Sequence, residues 1–195
     1  IPMNRLSLLF FLLSSFGYTQ KYQPQFSTAG FYQTDKNVRE AINFNVGWRF
    51  IKQDFSGAEK HDFDDSAWSV VNLPNGMELL PLAASGGVNY QGPAWYRKQF
   101  SLNQTMSSKK IILHFEGIMG KSKIWINGAM VKENFGSYYP IHVDVTEYVD
   151  FENPNTVAVR ADNSNDKTYP PGKPQEQLDF TYFGGIYRDA WLITH

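Results

Sequence analysis

The strongest local constraint in this sequence is Asn127-Gly128, set between two apolar runs in KIWINGAMVKEN, Lys123–Asn134. Both residues tolerate positive φ, which the two central positions of a tight hairpin turn require. The flanking runs are therefore predicted to pair as antiparallel strands. The same period recurs along the chain. Ile42, Phe44, Val46, Trp48 and Phe50 alternate with Asn43, Asn45, Gly47 and Arg49, the pattern of one strand with a single buried face. Strands are also predicted at Val70-Val71, over Trp95–Leu102, and over Lys109–Ile118 with Ile111, Leu113 and Phe115 on one face. Further candidates are Tyr139–Val145, Val157–Ala161 and Ile186–Ile193.

Turn signals separate these runs. Asp62–Trp68, DFDDSAW, reads as a turn with a short helical start, capped by Asp64, Asp65 or Ser66. Thr146–Val149 reads as a single helical turn leading into Asn153-Pro154-Asn155. Two polar stretches without a period, Asn75–Gly92 and Asp162–Gln177, read as long loops, the second carrying Pro170-Pro171-Gly172. Six to eight short strands with almost no helix give an all-β fold, a β-sandwich, and a jelly roll fits. Strand order does not follow from the pattern. Aromatics make up 16% of the residues and charged residues 19%, which favours strands without specifying a ligand.

Several function classes drop out. A net charge of −1 offers no electrostatic footprint for nucleic acid or an anionic membrane. With no cysteine there is no disulfide, thiol catalysis, Cys-ligated zinc or lipoprotein anchor. The histidines at 61, 114, 142 and 195 show no ligand spacing, so no zinc site is expected. Met3-Asn4-Arg5, the apolar run Leu6–Leu13 and a polar exit to Gln20 form a secretory signal peptide, 1–20, cleaved near Thr19–Lys21. The apolar part falls short of the ~20 residues that span a bilayer. The expected address is periplasmic or secreted, with no membrane association after cleavage. Residues 21–40 follow as a linker or N-terminal arm, and residues 41–195 as one β-sandwich domain.

Near the C-terminus, Asp179–Leu192 reads DFTYFGGIYRDAWL. It gathers a carboxylate, aromatics and the Gly184-Gly185 pair just ahead of a predicted strand. Paired glycines mark a sharp corner or a close backbone approach. Asp179 is thereby presented at a rim, where a corner-fixing salt bridge with Arg188 would be its structural role. Asn89, in the first long loop, is a candidate for the same rim, against an Asx-type loop hydrogen bond. Tyr182 and Phe183 are candidates for stacking on a ligand, against local packing. Trp48, Trp68, Trp95, Trp125 and Trp191 sit at strand-like positions and are expected in the core. Asp64-Asp65, Asp144 and Glu147 read as turn and cap residues, and Arg188 and Asp189 as interface or structural charges.

Taken in order, GWRF (47–50), FDDSAW (63–68), LP (73–74), NYQGPAWYRKQF (89–100), EG (116–117), WINGAMV (125–131), RADN (160–163) and the Asp179 stretch resemble one family. It is the N-terminal sugar-binding domain of glycoside hydrolase family 2, the β-galactosidases and β-glucuronidases. The resemblance covers roughly Ala41–His195 and implies a jelly roll of the galactose-binding type. It implies that Asp179 reaches sugar hydroxyls in the active site of a following barrel, and that it is a candidate ligand for a monovalent cation. A monovalent or divalent cation in the full-length enzyme is the one cofactor expectation. One departure is Asn75, where the family often has His after Leu-Pro.

The resemblance further implies an immunoglobulin-like domain and a (β/α)8 barrel beyond residue 195, the barrel carrying two catalytic glutamates. No catalytic residue is then expected in this chain, and the fragment alone is expected to be inactive. The expected partners are a carbohydrate substrate and the downstream domains of the same chain, with a homo-oligomer left open. The reading is a secreted retaining glycosidase, foremost a β-galactosidase. Its alternatives are a β-glucuronidase of the same family and a stand-alone carbohydrate-binding module; a plain adhesion sandwich is the third. TYPPG (168–172) and DFTYFGGI resemble glucuronidases, whereas NYQGPAWYRK and GGIYRD resemble galactosidases.

Overall fold

A computed structural model describes residues 39–80 and 87–195. The expected signal peptide and nearly all of the expected arm lie outside the described residues. Ten strands occur among those described. They are β1 (Glu40–Asn43), β2 (Trp48–Ile51), β3 (Ser69–Val71), β4 (Pro93–Phe100), β5 (Ile111–Phe115), β6 (Lys121–Ile126), β7 (Ala129–Phe135), β8 (Ile141–Asp144), β9 (Asn155–Asp162) and β10 (Ala190–Thr194). They form a four-stranded sheet, β1-β10-β5-β8, and a six-stranded sheet, β3-β2-β4-β9-β6-β7. Every pairing is antiparallel. This is the β-sandwich that the alternation predicted.

The hairpin stands where Asn127-Gly128 placed it, with φ of 51° and 85° at the two turn residues. Between the sheets lies one continuous core that includes Phe44, Trp48, Tyr96, Leu113, Phe115, Ile124, Val159, Ile186 and Leu192. Phe44 meets both Trp48 and Phe100 edge-on, with centroids 5.7 and 5.2 Å apart. Such pairs favour that geometry because ring edges and faces carry opposite partial charge. Trp48, Trp68, Trp95 and Trp191 are buried and Trp125 is partly buried, as expected of core tryptophans.

Three local expectations change. The run Ile42–Phe50 is two strands in different sheets, joined through Asn45 and Gly47, the latter at φ +77°. Asn45 fixes the crossing: its Oδ1 accepts from the Ala190 N–H at 2.8 Å and its Nδ2 donates to Asp189 at 2.9 Å. The last strand begins at Ala190, because Ile186 and its neighbours turn inward to the corner described below. Asp62–Trp68 contains turns and no helix.

The reason for that last difference is a buried cation. β4 turns Trp95 and Arg97 to the outer face of the six-stranded sheet, and residues 52–68 fold over them. Phe55, Phe63 and Trp68 form a second apolar cluster there with Trp95 and Ala158. Beneath it Arg97 has no exposed surface; its guanidinium meets Asp65 at 2.8 Å and donates to the carbonyls of Ala58, Lys60, His61 and Phe63. Carbonyls recruited by that side chain are not arranged for a helix. Asp65 is thus a counter-ion, whereas Asp64 accepts the Ser66 N–H at 2.9 Å in the expected turn role.

Candidate functional site

Strand pairing decides which loops share an edge. Pro93 opposes Asp162, Lys121 opposes both Asp162 and Phe135, Ala190 opposes Phe115, and Phe115 opposes Ile141. The start of β4, the end of β9, the β7–β8 connection and the start of β10 therefore meet at one rim. Both long loops belong to it.

Gly184 and Gly185 form the corner of this rim. A Cβ on Gly184 would lie 2.4 Å from Asn163 Nδ2 and 2.7 Å from Met77 Sδ. Gly185 sits at φ +85°, and a Cβ there would lie 2.2 Å from the Tyr96 hydroxyl and 2.8 Å from the Asn75 carbonyl. Both a close approach and a left-handed conformation are thus required, as the paired glycines suggested. Asn75 braces the same corner. Its N–H donates to Ile186 O at 2.8 Å, and its Oδ1 accepts from the Tyr96 hydroxyl at 2.8 Å. Burial raises the Tyr96 hydroxyl far above its ordinary range, so it stays neutral and donates to Asn75.

Asn163, the last residue of RADN, ties the two loops together. Its Oδ1 accepts from the Gly92 N–H at 2.9 Å and its Nδ2 donates to Tyr90 O at 2.9 Å. Tyr187 and Ser137 join the third connection, the Tyr187 hydroxyl donating to Ser137 O at 2.6 Å and the Ser137 hydroxyl to Pro170 O at 2.8 Å. A shallow recess opens between these pieces, lined in part by Asn163, Asp166, Tyr169, Lys173 and Tyr182. Two of its ionisable groups are shifted by their surroundings. A hydrogen bond from Lys121, and then those from Thr168, bring Asp166 down to about 2. Burial and the Asp166 charge push the Tyr169 hydroxyl up to about 12.

The residues singled out from sequence separate into two groups. Asp179 is exposed at a bend and makes no hydrogen bond or ion pair with any described residue. Arg188 does not reach it; the guanidinium lies over the Tyr187 ring, 5.5 Å from its centroid. Phe180 and Phe183 are exposed on the same surface. Asn89 and Tyr182 lie inside, 5% and 7% exposed. The Asn89 amide is held by Gln175 and by the Tyr182 carbonyl, and Gln91 donates to the Tyr182 hydroxyl at 3.3 Å. Asn89 is thus engaged within the rim, while Tyr182 also lines the recess. Sequence reading missed Gln175, since a glutamine in a polar loop carries no local signal.

Among the described residues Asp54, Asp65, Glu78, Asp162 and Asp166 are all engaged in ion pairs with lysine or arginine. No group of three or more His, Cys, Asp or Glu residues that could hold a metal occurs among the described residues. Asp179 alone does not complete a cation shell.

Residues 55–195 match the model for the sugar-binding domain of glycosyl hydrolases family 2. The chain belongs to glycoside hydrolase family 2. A β-galactosidase of Thermoanaerobacter pseudethanolicus is 39% identical over 155 residues, 79% of this chain and 21% of that protein. A putative β-glucuronidase of Formosa agariphila is 29% identical over 168 residues, 86% of this chain and 20% of that one. Among solved structures, a Bacteroides uniformis β-glucuronidase superposes with a TM-score of 0.71 at 35% identity, covering 80% of this chain and 18% of that structure. The chain thus spans about a fifth of the length of these relatives. Its β-sandwich is the family 2 sugar-binding domain, and its relatives include both β-galactosidases and β-glucuronidases.

Proposed function

We propose that this domain serves a secreted retaining β-galactosidase, contributing Asp179 to the wall of a sugar pocket whose catalytic glutamates lie on a downstream barrel. The observation that carries this reading is the placement of Asp179: an exposed carboxylate with no partner among the described residues, on a segment anchored at both ends. A carboxylate can accept from two neighbouring hydroxyls of one sugar ring, which fixes the ring's orientation. Retaining hydrolysis needs two carboxyl groups about 5–5.5 Å apart around the scissile bond. The acids of the rim and sheet named above are instead held in ion pairs with lysine or arginine. Phe180 and Phe183, exposed beside Asp179, offer apolar surface to the sugar or to the adjoining domain. The basic and then apolar start of the sequence supports export.

The β-galactosidase reading draws on the 39% identity to a galactosidase and on GGIYRD. The β-glucuronidase reading is the second, favoured by TYPPG and by the superposition on a glucuronidase. Expressing the uninterrupted reading frame that carries this domain and comparing nitrophenyl β-galactoside with nitrophenyl β-glucuronide decides between them. Faster turnover of the galactoside is expected. Preference for the glucuronide would overturn that assignment, and hydrolysis by residues 40–195 alone would overturn the placement of the catalytic groups.

A further inference from the structure

The segment that carries Asp179, Gln175–Tyr182, has both ends held by one buried side chain. Asn89 Oδ1 accepts from Gln175 Nε2 at 2.6 Å, and Asn89 Nδ2 donates to the Tyr182 carbonyl at 2.8 Å. The Asn89 backbone N–H donates to Gln175 Oε1 at 3.0 Å, so the two residues close a reciprocal pair. Both are nearly or fully buried, 5% and 1% exposed. Two weaker ties run in parallel: Thr181 Oγ1 donates to Gly87 O at 3.2 Å, and Gln91 Nε2 to the Tyr182 hydroxyl at 3.3 Å. A 3-10 turn over Gln175–Gln177 then sends the chain outward, its last N–H bond running from Leu178 to Gln175 O at 3.0 Å. Asp179 and Phe180 form the exposed apex between the anchors.

We infer that Asn89 and Gln175 are positioning residues, which act on substrate only through Asp179 by fixing both ends of its segment. This rests on the reading of Asp179 as a sugar-contacting carboxylate. The physical reason is preorganisation. An apex already ordered by buried anchors loses little freedom when a ligand engages it, and the carboxylate oxygens stay within the narrow tolerance that bidentate recognition demands. Buried amides in a fully paired network also resist substitution, because removing one leaves the others unpaired. Asn89, 86 residues from Gln175 in sequence, is thereby moved from the substrate surface to the support behind it.

The test uses the enzyme made from the full reading frame, with nitrophenyl β-galactoside and nitrophenyl β-glucuronide as probes, and hydrogen exchange of the same preparations. Asn89→Ala should speed exchange of the amides of 176–181 while those of β4 and β9 keep their protection. It should lower kcat/KM by about tenfold on the faster probe, mainly through KM. Gln175→Ala, which leaves the bond from Asn89 to Tyr182 in place, should act in the same direction and serves if Asn89→Ala does not fold. In an Asp179→Asn background, Asn89→Ala should lower activity no further. Losses that simply multiply would mean a general structural role and overturn the inference, as would faster exchange of 176–181 with unchanged kcat/KM. If Asp179→Asn alone left activity intact, the sugar-contact reading itself would be the one to fail, and that outcome is visible without any change at Asn89.

Discussion

Arg97 Nε donates to Asp65 Oδ2 at 2.8 Å from a guanidinium with no exposed surface. The pair fastens residues 52–68 over the outer face of the six-stranded sheet. Burying a charge is tolerable only when it is paired and its remaining donors are satisfied, and here four carbonyls complete the set. Asp65→Ala leaves the cation without its counter-ion. It should destabilise the domain by about 3–5 kcal/mol in urea denaturation. Asp64→Ala, which loses only an exposed turn contact, should change the midpoint little. Equal effects of the two substitutions would contradict the counter-ion role.

The Gly corner gives a second prediction. Gly185→Ala combines a left-handed φ with a Cβ driven into the Tyr96 hydroxyl and the Asn75 carbonyl. It should cost roughly 3 kcal/mol, strain and overpacking together. Gly47 shares the positive φ but has nothing within 4 Å of its Cβ position, so Gly47→Ala should cost only about 1–2 kcal/mol. For a domain of this size the larger loss lowers Tm by about 6–12 °C. A Gly185→Ala protein as stable as Gly47→Ala would show that the corner relaxes freely.

Acid sensitivity should come in part from His114. Its Nδ1 lies 3.0 Å from His142 Nδ1 on paired strands. Burial first, then the neighbouring His142 and Arg39, hold it down to about 4 against an ordinary 6.5. On acidification the unfolded chain therefore takes up this proton before the folded one does. The stability associated with neutral His114 is fully present above about pH 6.5 and is lost as pH falls toward 4. Between about pH 7 and pH 5 the loss should be about 2 kcal/mol. In His114→Gln that part of the slope should vanish. An unchanged slope would place the acid sensitivity elsewhere.

Local signals were legible where the cause was local. Asn127-Gly128 fixed a hairpin because the turn depends on its own φ angles, and Gly184-Gly185 marked a corner for a related steric reason. Alternation from Ile42 to Phe50 was correct about burial and wrong about continuity. Both halves bury side chains in the same interior from opposite sheets, so the period runs unbroken through a crossing that only Asn45 and Gly47 create. Partners far apart in sequence were not legible. Asp65 reads as a turn acid until Arg97 is seen beneath it. Asn89 reads as a rim residue until Gln175 and Tyr182 close around it. Asp179 was singled out because its neighbours, paired glycines and aromatics, carry the family's order; it stands exposed at a bend.

The central claim is that Asp179 serves substrate and not the fold. Sheltered charge-assisted hydrogen bonds contribute on the order of 1.5–3 kcal/mol. Asp179→Asn in the enzyme from the full reading frame should therefore lower kcat/KM by roughly 10- to 200-fold on its better nitrophenyl glycoside. Its melting temperature should stay within about 2 °C of the parent, since no described residue depends on the carboxylate. Full activity per folded molecule alongside a lowered melting temperature would contradict the claim and make Asp179 a brace of the corner.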